Sequence, residues 1–206
     1  MTDIQTLLND LKSTDPDVIC AAADQLGHQQ MRDAVEPLLD LLNHDEAAVR
    51  LAAMMALRRI RDERASVPFI YLLNDPDTAI RRGASTWFMT LKGDQSHLVE
   101  PLCDVMLAEH SRMSTREFAA MLLGKYGDER AVDALHQAMT QHERLQTRIT
   151  QTLRRMADPR SVPFLLPLLD QNKDMRVQGA AAKTLAAIGT PDALDAVQAW
   201  RKQRGK

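Results

Sequence analysis

Asp45-Glu46-Ala47-Ala48-Val49-Arg50-Leu51-Ala52-Ala53-Met54-Met55-Ala56-Leu57-Arg58-Arg59-Ile60-Arg61-Asp62-Glu63-Arg64 decides how the chain is read. Val49, Ala52, Ala53, Ala56, Leu57 and Ile60 fall at i, i+3, i+4, i+7, i+8 and i+11, one face of a helix turning by about 100° per residue. Asp45 stands where an N-cap is expected, and arginines fill the last turn, where the helix dipole favours cations. The methyl-sized side chains at Ala52, Ala53 and Ala56 allow a second helix to come close, so this helix expects neighbours.

The same pattern returns along the chain. The first apolar residue recurs as Val18, Val49, Ile80, Thr115, Leu145 and Val177, at spacings of 30 to 35 residues. Eight positions on stand Leu26, Leu57, Phe88, Leu123, Leu153 and Leu185. A second apolar helix precedes each patterned one, with Pro37, Pro68, Pro101 and Pro163 in a first turn, where a missing N–H costs little. Turn signals separate the helices: Asp15-Pro16-Asp17 and Asp75-Pro76-Asp77 within units, Asp62-Glu63-Arg64, Asp128-Glu129-Arg130 and Asp158-Pro159-Arg160 between them.

One helix pair of about thirty residues cannot cover its own apolar face, whereas stacked neighbours can. The expected fold is therefore all-α: a right-handed α-α superhelix of six helix pairs with a C-terminal capping helix. It forms a single domain over 1–206, with repeats at about 1–32, 33–64, 65–95, 96–130, 131–160 and 161–191 and a cap at 192–206 closed by Trp200.

Composition agrees. Of 206 residues, 45% are hydrophobic but only 4% aromatic, so Leu, Ala, Met and Val must fill the core. A net charge of -2 predicts no global attraction to nucleic acid or to an anionic membrane. No apolar run reaches membrane-spanning length, and Met1 leads through Thr2 and Asp3 straight into an amphipathic helix, which points to the cytoplasm. Cys20 and Cys103 lie in different repeats and are expected as buried free thiols.

The segments DPDVICAAADQLG (15–27), DEAAVRLAAMMALRRIRDERA (45–65), FAAMLLGKYGDERAVDAL (118–135) and DMRVQGAAAKTLAAIGTPDA (174–193) resemble HEAT repeats. They resemble in particular the short type found in phycobilisome-lyase-like proteins, and the resemblance covers almost the whole chain. That family includes bilin lyase subunits, phycobilisome-degradation factors and iron hydroxylases acting on a modified lysine. The hydroxylases need His-Glu pairs at equivalent places in several repeats. Only His142-Glu143 is such a pair here, so no metal site is expected. There is no HExxH, glycine-rich phosphate loop or nucleophile elbow. A base-excision role on a related scaffold would want a strongly basic, aromatic groove, and Trp87, Phe88 and Tyr126 alone do not supply one.

Three features remain. Arg50, Arg81 and Arg116 follow their anchors at the edge of the apolar face and are expected to form a structural ladder of ion pairs or carbonyl contacts between repeats. The second helices carry cations and the first helices carboxylates. Since the resemblance places second helices on the concave side, that side should be basic and suited to an acidic partner within a Debye length of about 8–10 Å. Met55, Met89 and Met121 are expected on the same face, where flexible thioethers suit adaptable protein binding. The expected partner-binding set is Arg58, Arg82, Thr86, Met89, Met121, Lys125 and Arg154. The function so implied is a non-catalytic scaffold or adaptor binding an acidic protein or peptide without a cofactor. The alternative, carried by the resemblance, is a bilin lyase subunit or chromophore-handling chaperone in which Arg58, Arg82 and Arg154 would meet bilin propionates.

Overall fold

A computed structural model describes residues 3–204. Met1, Thr2, Gly205 and Lys206, on which the reading of the N-terminus and the end of the cap partly rest, lie outside the described residues. Among the described residues there are thirteen α-helices and no strand. No described helix is long and apolar enough to cross a membrane.

Two compact units make up the chain, residues 1–92 and 93–206. The first holds three helix pairs: α1 (Ile4–Asp10) with α2 (Pro16–His28), α3 (Val35–Asp40) with α4 (Ala47–Ile60), and α5 (Ser66–Leu72) with α6 (Thr78–Thr90). Within it α2 packs on α4 and α4 on α6. The second unit holds α7 (Val99–Leu107) with α8 (Met113–Tyr126), α9 (Arg130–Gln141) with α10 (Gln146–Met156), α11 (Val162–Asp170) with α12 (Met175–Ile188), and α13 (Pro191–Arg204). Here α8, α10 and α12 pack in series, and α13 covers α11 and α12. Six pairs plus a terminal helix make an all-α helical-repeat fold, as the periodicity implies.

The small face of α4 does what its methyl-sized side chains permit. A Cβ added at Gly27 of α2 would stand 2.6 Å from the Cα of Ala56. The two helices therefore touch backbone to backbone, and no larger residue fits there without moving one of them. On the other flank the Met54 thioether occupies the space a side chain at Gly83 would need. Met54 is fully buried, which the six-residue face did not anticipate, while Ala52 is only half-buried.

Local details correct the sequence reading. In the first repeat Val18 is 38% exposed and Ile19 takes the core position, together with Ala22, Ala23 and Leu26. Two adjacent apolar residues let the anchor be placed one position early. The N-cap of α4 is Glu46, without a side-chain bond, and the His44 Nδ1 accepts the Glu46 N–H at 3.0 Å. Asp45 is not the cap. Cys20 and Cys103 are free but half-buried rather than buried. In α13 it is Ala193 and Val197 that are buried, Leu194 is exposed and Trp200 only half-covered. The Trp200 indole instead donates to Gln178 Oε1 at 3.3 Å and lies under the Arg204 guanidinium at 4.5 Å.

Candidate partner-binding surface

Along the loops that enter the second helices, one chemical theme is repeated. Arg50 donates through Nε and Nη2 to both oxygens of Asp75, at 2.8 and 3.0 Å, and through Nη1 to the carbonyls of His44 and Asp45. Asp75 in turn accepts the Asp77 N–H, so one carboxylate joins two repeats and shapes the next loop. Arg81 donates to the carbonyls of Asp75 and Pro76, the same loop positions that Arg50 reaches in its own repeat. In the second unit Gln178 donates to the Asn172 carbonyl, and Asn172 Nδ2 donates to Gln146 Oε1 at 2.7 Å. Gln146 and Asn172 thus form a neutral copy of the Arg50–Asp75 rung, down to the Asp174 N–H held by Asn172 Oδ1.

Arg116 is the variant. Residues 108–112 lengthen the loop before α8, and the guanidinium turns into that loop, only 4% exposed. It donates to the carbonyls of Met106, Ala108, Glu109 and Ser111. Among the described residues no carboxylate pairs with it, and burial pushes its pKa down. The ladder arginines therefore have their hydrogen-bonding capacity taken up internally.

A second series, Asp62-Glu63-Arg64, Asp128-Glu129-Arg130 and Asp158-Pro159-Arg160, sits in the turns between repeats. Each aspartate caps its turn by accepting the N–H two residues on, and the arginine folds back on the carboxylate. Arg64's hydrogen bonds hold the Asp62 carboxyl down at about 2. Each arginine also reaches the preceding repeat: Arg64 meets Glu36, Arg130 the Ser96 carbonyl and Arg160 the Glu129 carbonyl. These contacts are exposed, so they set register more than they add stability.

The exposed face of the second helices differs. In the first unit Arg82, Thr86 and Met89 follow one another at i, i+4 and i+7 of α6. Met89 is 62% exposed, and the Thr86 hydroxyl donates back to the Arg82 carbonyl. Arg58 reaches over α4 toward Gly83 and donates to the Met55 sulfur. Met55 and Met121 are half-buried, less open than Met89. Trp87 is buried, its N–H on the Ser66 hydroxyl at 3.1 Å and its ring edge-on to Phe69.

In the second unit the face is grooved. A hollow of about 250 Å³ between α8 and α10 is lined by Met121, Arg148, Arg154 and Arg155. A larger one of about 600 Å³ lies between α10 and α12, with Arg154, Met175, Arg176 and Lys183 on its walls. Arg154 borders both. Neither groove is lined by a carboxylate among the described residues, whereas the hollow of about 790 Å³ on the adjacent loop edge mixes Glu143 and Asp174 with cations. Of the seven residues singled out, Met121 and Arg154 thus share one groove. Lys125 stands beside Tyr126, its ammonium 2.7 Å from the phenol oxygen. Arg148, Arg155, Met175 and Arg176 were missed as members. The available signal was that each falls on the exposed side of a helix whose buried residues are known from the repeat.

One polar cluster resembles a catalytic arrangement without being able to act as one. His136 Nε2 lies 2.9 Å from the Ser161 hydroxyl, and Asp133 is close enough to influence the imidazole. Ser161 is fully buried, so its hydroxyl has no room for a substrate. His136 is 5% exposed and stacked on Phe164 at 4.0 Å. Burial lowers its pKa, opposed by Asp133 and Asp158 and aided by Arg160. The unfolded chain takes up a proton near pH 6.5 that the folded chain resists. Stability of the second unit should therefore fall as pH drops below about 6.5, with a slope of at most about 1.4 kcal/mol per pH unit. Thermal unfolding at pH 7.5 and 5.5 checks this. His136→Gln should flatten the difference, and an unchanged difference would place the proton uptake elsewhere.

Stacked helix pairs joined by inter-repeat rungs define an α-helical repeat protein. The family model described as HEAT repeats matches residues 4–90, 66–154 and 140–204, and the chain belongs to the HEAT-repeat family. No curated protein matches it. Among solved structures, an engineered protein aligns with TM-score 0.55 and 22% identity over 97% of this chain and 62% of its own, so the chain spans about three fifths of that protein. A designed armadillo repeat protein aligns with TM-score 0.52 and 15% identity over 91% of this chain and 100% of its own. The complex of CpcE and CpcF of phycocyanin lyase from Nostoc sp. aligns with TM-score 0.47 and 22% identity, over 95% of this chain and 80% of the other. At these identities the likeness to the first two is one of fold. No group of three or more His, Cys, Asp or Glu side chains gathers as a metal-binding cluster among the described residues.

Proposed function

We propose that this HEAT-repeat protein is a non-catalytic scaffold that holds an acidic protein or peptide against the exposed faces of its second helices. The observation that carries the reading is the groove lining in the second unit. Arg148, Arg154, Arg155, Arg176 and Lys183 border the two grooves with no carboxylate among them, in a chain whose net charge is -2. Arg176 is paired with Asp174, and the remaining cations concentrate an acidic ligand and steer its approach. Arg58, Arg82, Thr86 and Met89 are the contributions proposed for the first unit, and Met121, Lys125 and Arg154 for the second. Arg50, Arg81 and Arg116 serve structure, since their donors are engaged by the repeat loops.

A fluorescein-labelled twelve-residue Asp/Glu peptide tests this by anisotropy. It should bind at low salt, weaken by about tenfold or more on raising salt to several hundred millimolar, and leave a Lys peptide of equal length unbound. Charge reversal at Arg82 and Lys125, or at Arg154 and Lys183, should weaken binding by about tenfold or more. Unchanged affinity in both double variants would overturn the reading. Titration with a linear tetrapyrrole belongs beside it, and a shift in its visible absorbance would favour chromophore handling instead.

A further inference from the structure

We infer that the groove between α10 and α12 is a seat for a single apolar side chain of that acidic partner, placed on Gly179. The inference rests on the proposed reading of the face and adds a specificity determinant to it.

Glycine is a poor residue for the interior of a helix, costing about 1 kcal/mol relative to alanine. Gly27 and Gly83 have a packing reason, since Ala56 and Met54 occupy the space a side chain would take. Gly179 has none: a Cβ built there meets nothing within 4 Å. It lies instead in the groove of about 600 Å³, next to Ala180, so the floor there is low, with Thr147, Gln151 and Thr184 also on the lining. Met175 supplies an apolar wall. It is 58% exposed, and its sulfur accepts from Arg204. Around this floor stand Arg154, Arg176 and Lys183. Asp174, just outside the lining, is turned onto Arg176 and accepts from its Nη2 at 2.9 Å.

A hollow of this size, apolar at Gly179, Ala180 and Met175 and cationic at its rim, has room for a Leu- or Met-sized side chain flanked by carboxylates. The apolar group loses water on the floor while the flanking acids meet the rim, where charge complementarity is greatest. A nucleic-acid phosphate backbone would satisfy the rim but leave the floor empty.

The test uses the full chain and two labelled peptides, one all Asp/Glu and one identical except for a central Leu. The wild type should bind the Leu peptide about tenfold or more tighter. Gly179→Leu fills the seat from the protein's own side and, in open space on a helix, should leave the unfolding midpoint unchanged or raise it. It should erase the tenfold preference while keeping affinity for the all-acidic peptide within about twofold. Arg154→Glu should weaken both peptides. If the wild type does not distinguish the peptides, or Gly179→Leu still does, the seat is refuted while binding of both leaves the wider reading standing. If neither peptide binds, both fall together. A dT12 oligonucleotide bound more tightly than the Leu peptide overturns the seat and the acidic-protein reading alike.

Discussion

Asp75→Ala is expected to destabilise the first unit by about 3–5 kcal/mol, the range for breaking a buried ion pair by removing one partner. The reason lies in what Asp75 holds. Its carboxylate is almost fully buried, takes two hydrogen bonds from Arg50 and accepts the Asp77 N–H. Without it the Arg50 guanidinium keeps the His44 and Asp45 carbonyls but loses the hydrogen bonds and, after them, the charge that raise its pKa. The Asp77 N–H, at the start of α6, loses its acceptor as well. Urea unfolding of the variant measures the cost. The protein also contains the control. Gln146 and Asn172 build the same rung without charge, Asn172 donating to Gln146 and accepting from Asp174. The double variant Arg50→Gln with Asp75→Asn should therefore recover to within about 1.5 kcal/mol of the wild type, since a buried pair can be exchanged for a matched uncharged one at little net loss. Simple addition of the two single effects would show that the residues do not act as a pair.

Arg116→Met should cost about 3–5 kcal/mol in the second unit, although it removes a buried charge with no carboxylate partner among the described residues. The cation is held by four carbonyls, and those of Met106 and Ser111 come from buried residues. Methionine matches the stem but offers no donor, and each buried carbonyl left without one costs about 1–3 kcal/mol. The carbonyls of Ala108 and Glu109 belong to exposed residues and can turn to water. Arg116→Lys should recover only part, because a point ammonium cannot span the fork of acceptors that a planar guanidinium reaches. Hydrogen exchange should speed up over residues 108–112 before α8 responds. A second readout is independent of stability. His142 titrates low because of burial and, after it, the Arg116 charge, so removing the arginine should move its pKa upward by NMR. Arg81→Met should cost less, about 1–3 kcal/mol, since only the Asp75 carbonyl of its two comes from a buried residue.

These variants show where repetition in the chain stops being informative. Helix pairs could be read because each repeat writes the same apolar stripe, and because Asp and Pro punctuate the turns by local chemistry. The position after each anchor could be read as a hydrogen-bonding one for the same reason, although only Arg50 of the three arginines reaches the next repeat. That Arg50 meets Asp75 while Arg116 folds into its own lengthened loop could not, since partner choice depends on how far the next pair is displaced. The anchor at Val18 failed by one residue because Val18 and Ile19 are equally apolar, and only the seating of α2 against α4 selects Ile19.

The proposed binding face divides in the same way. Arg82, Met89 and Arg154 lie on exposed helix positions that periodicity alone marks as outward. Met121 and Met55 are half-covered, Met55 under the Arg58 guanidinium of its own helix and Met121 on a groove wall. Local preference and periodicity thus settle which residues belong to helices, which stripe of each is apolar and where turns fall, because those are properties of a few consecutive side chains. Depth is not such a property. Whether a glycine is a contact, as at Gly27, or an opening, as at Gly179, depends on the distance between helices some thirty residues apart in the chain, which is set only when their faces pack.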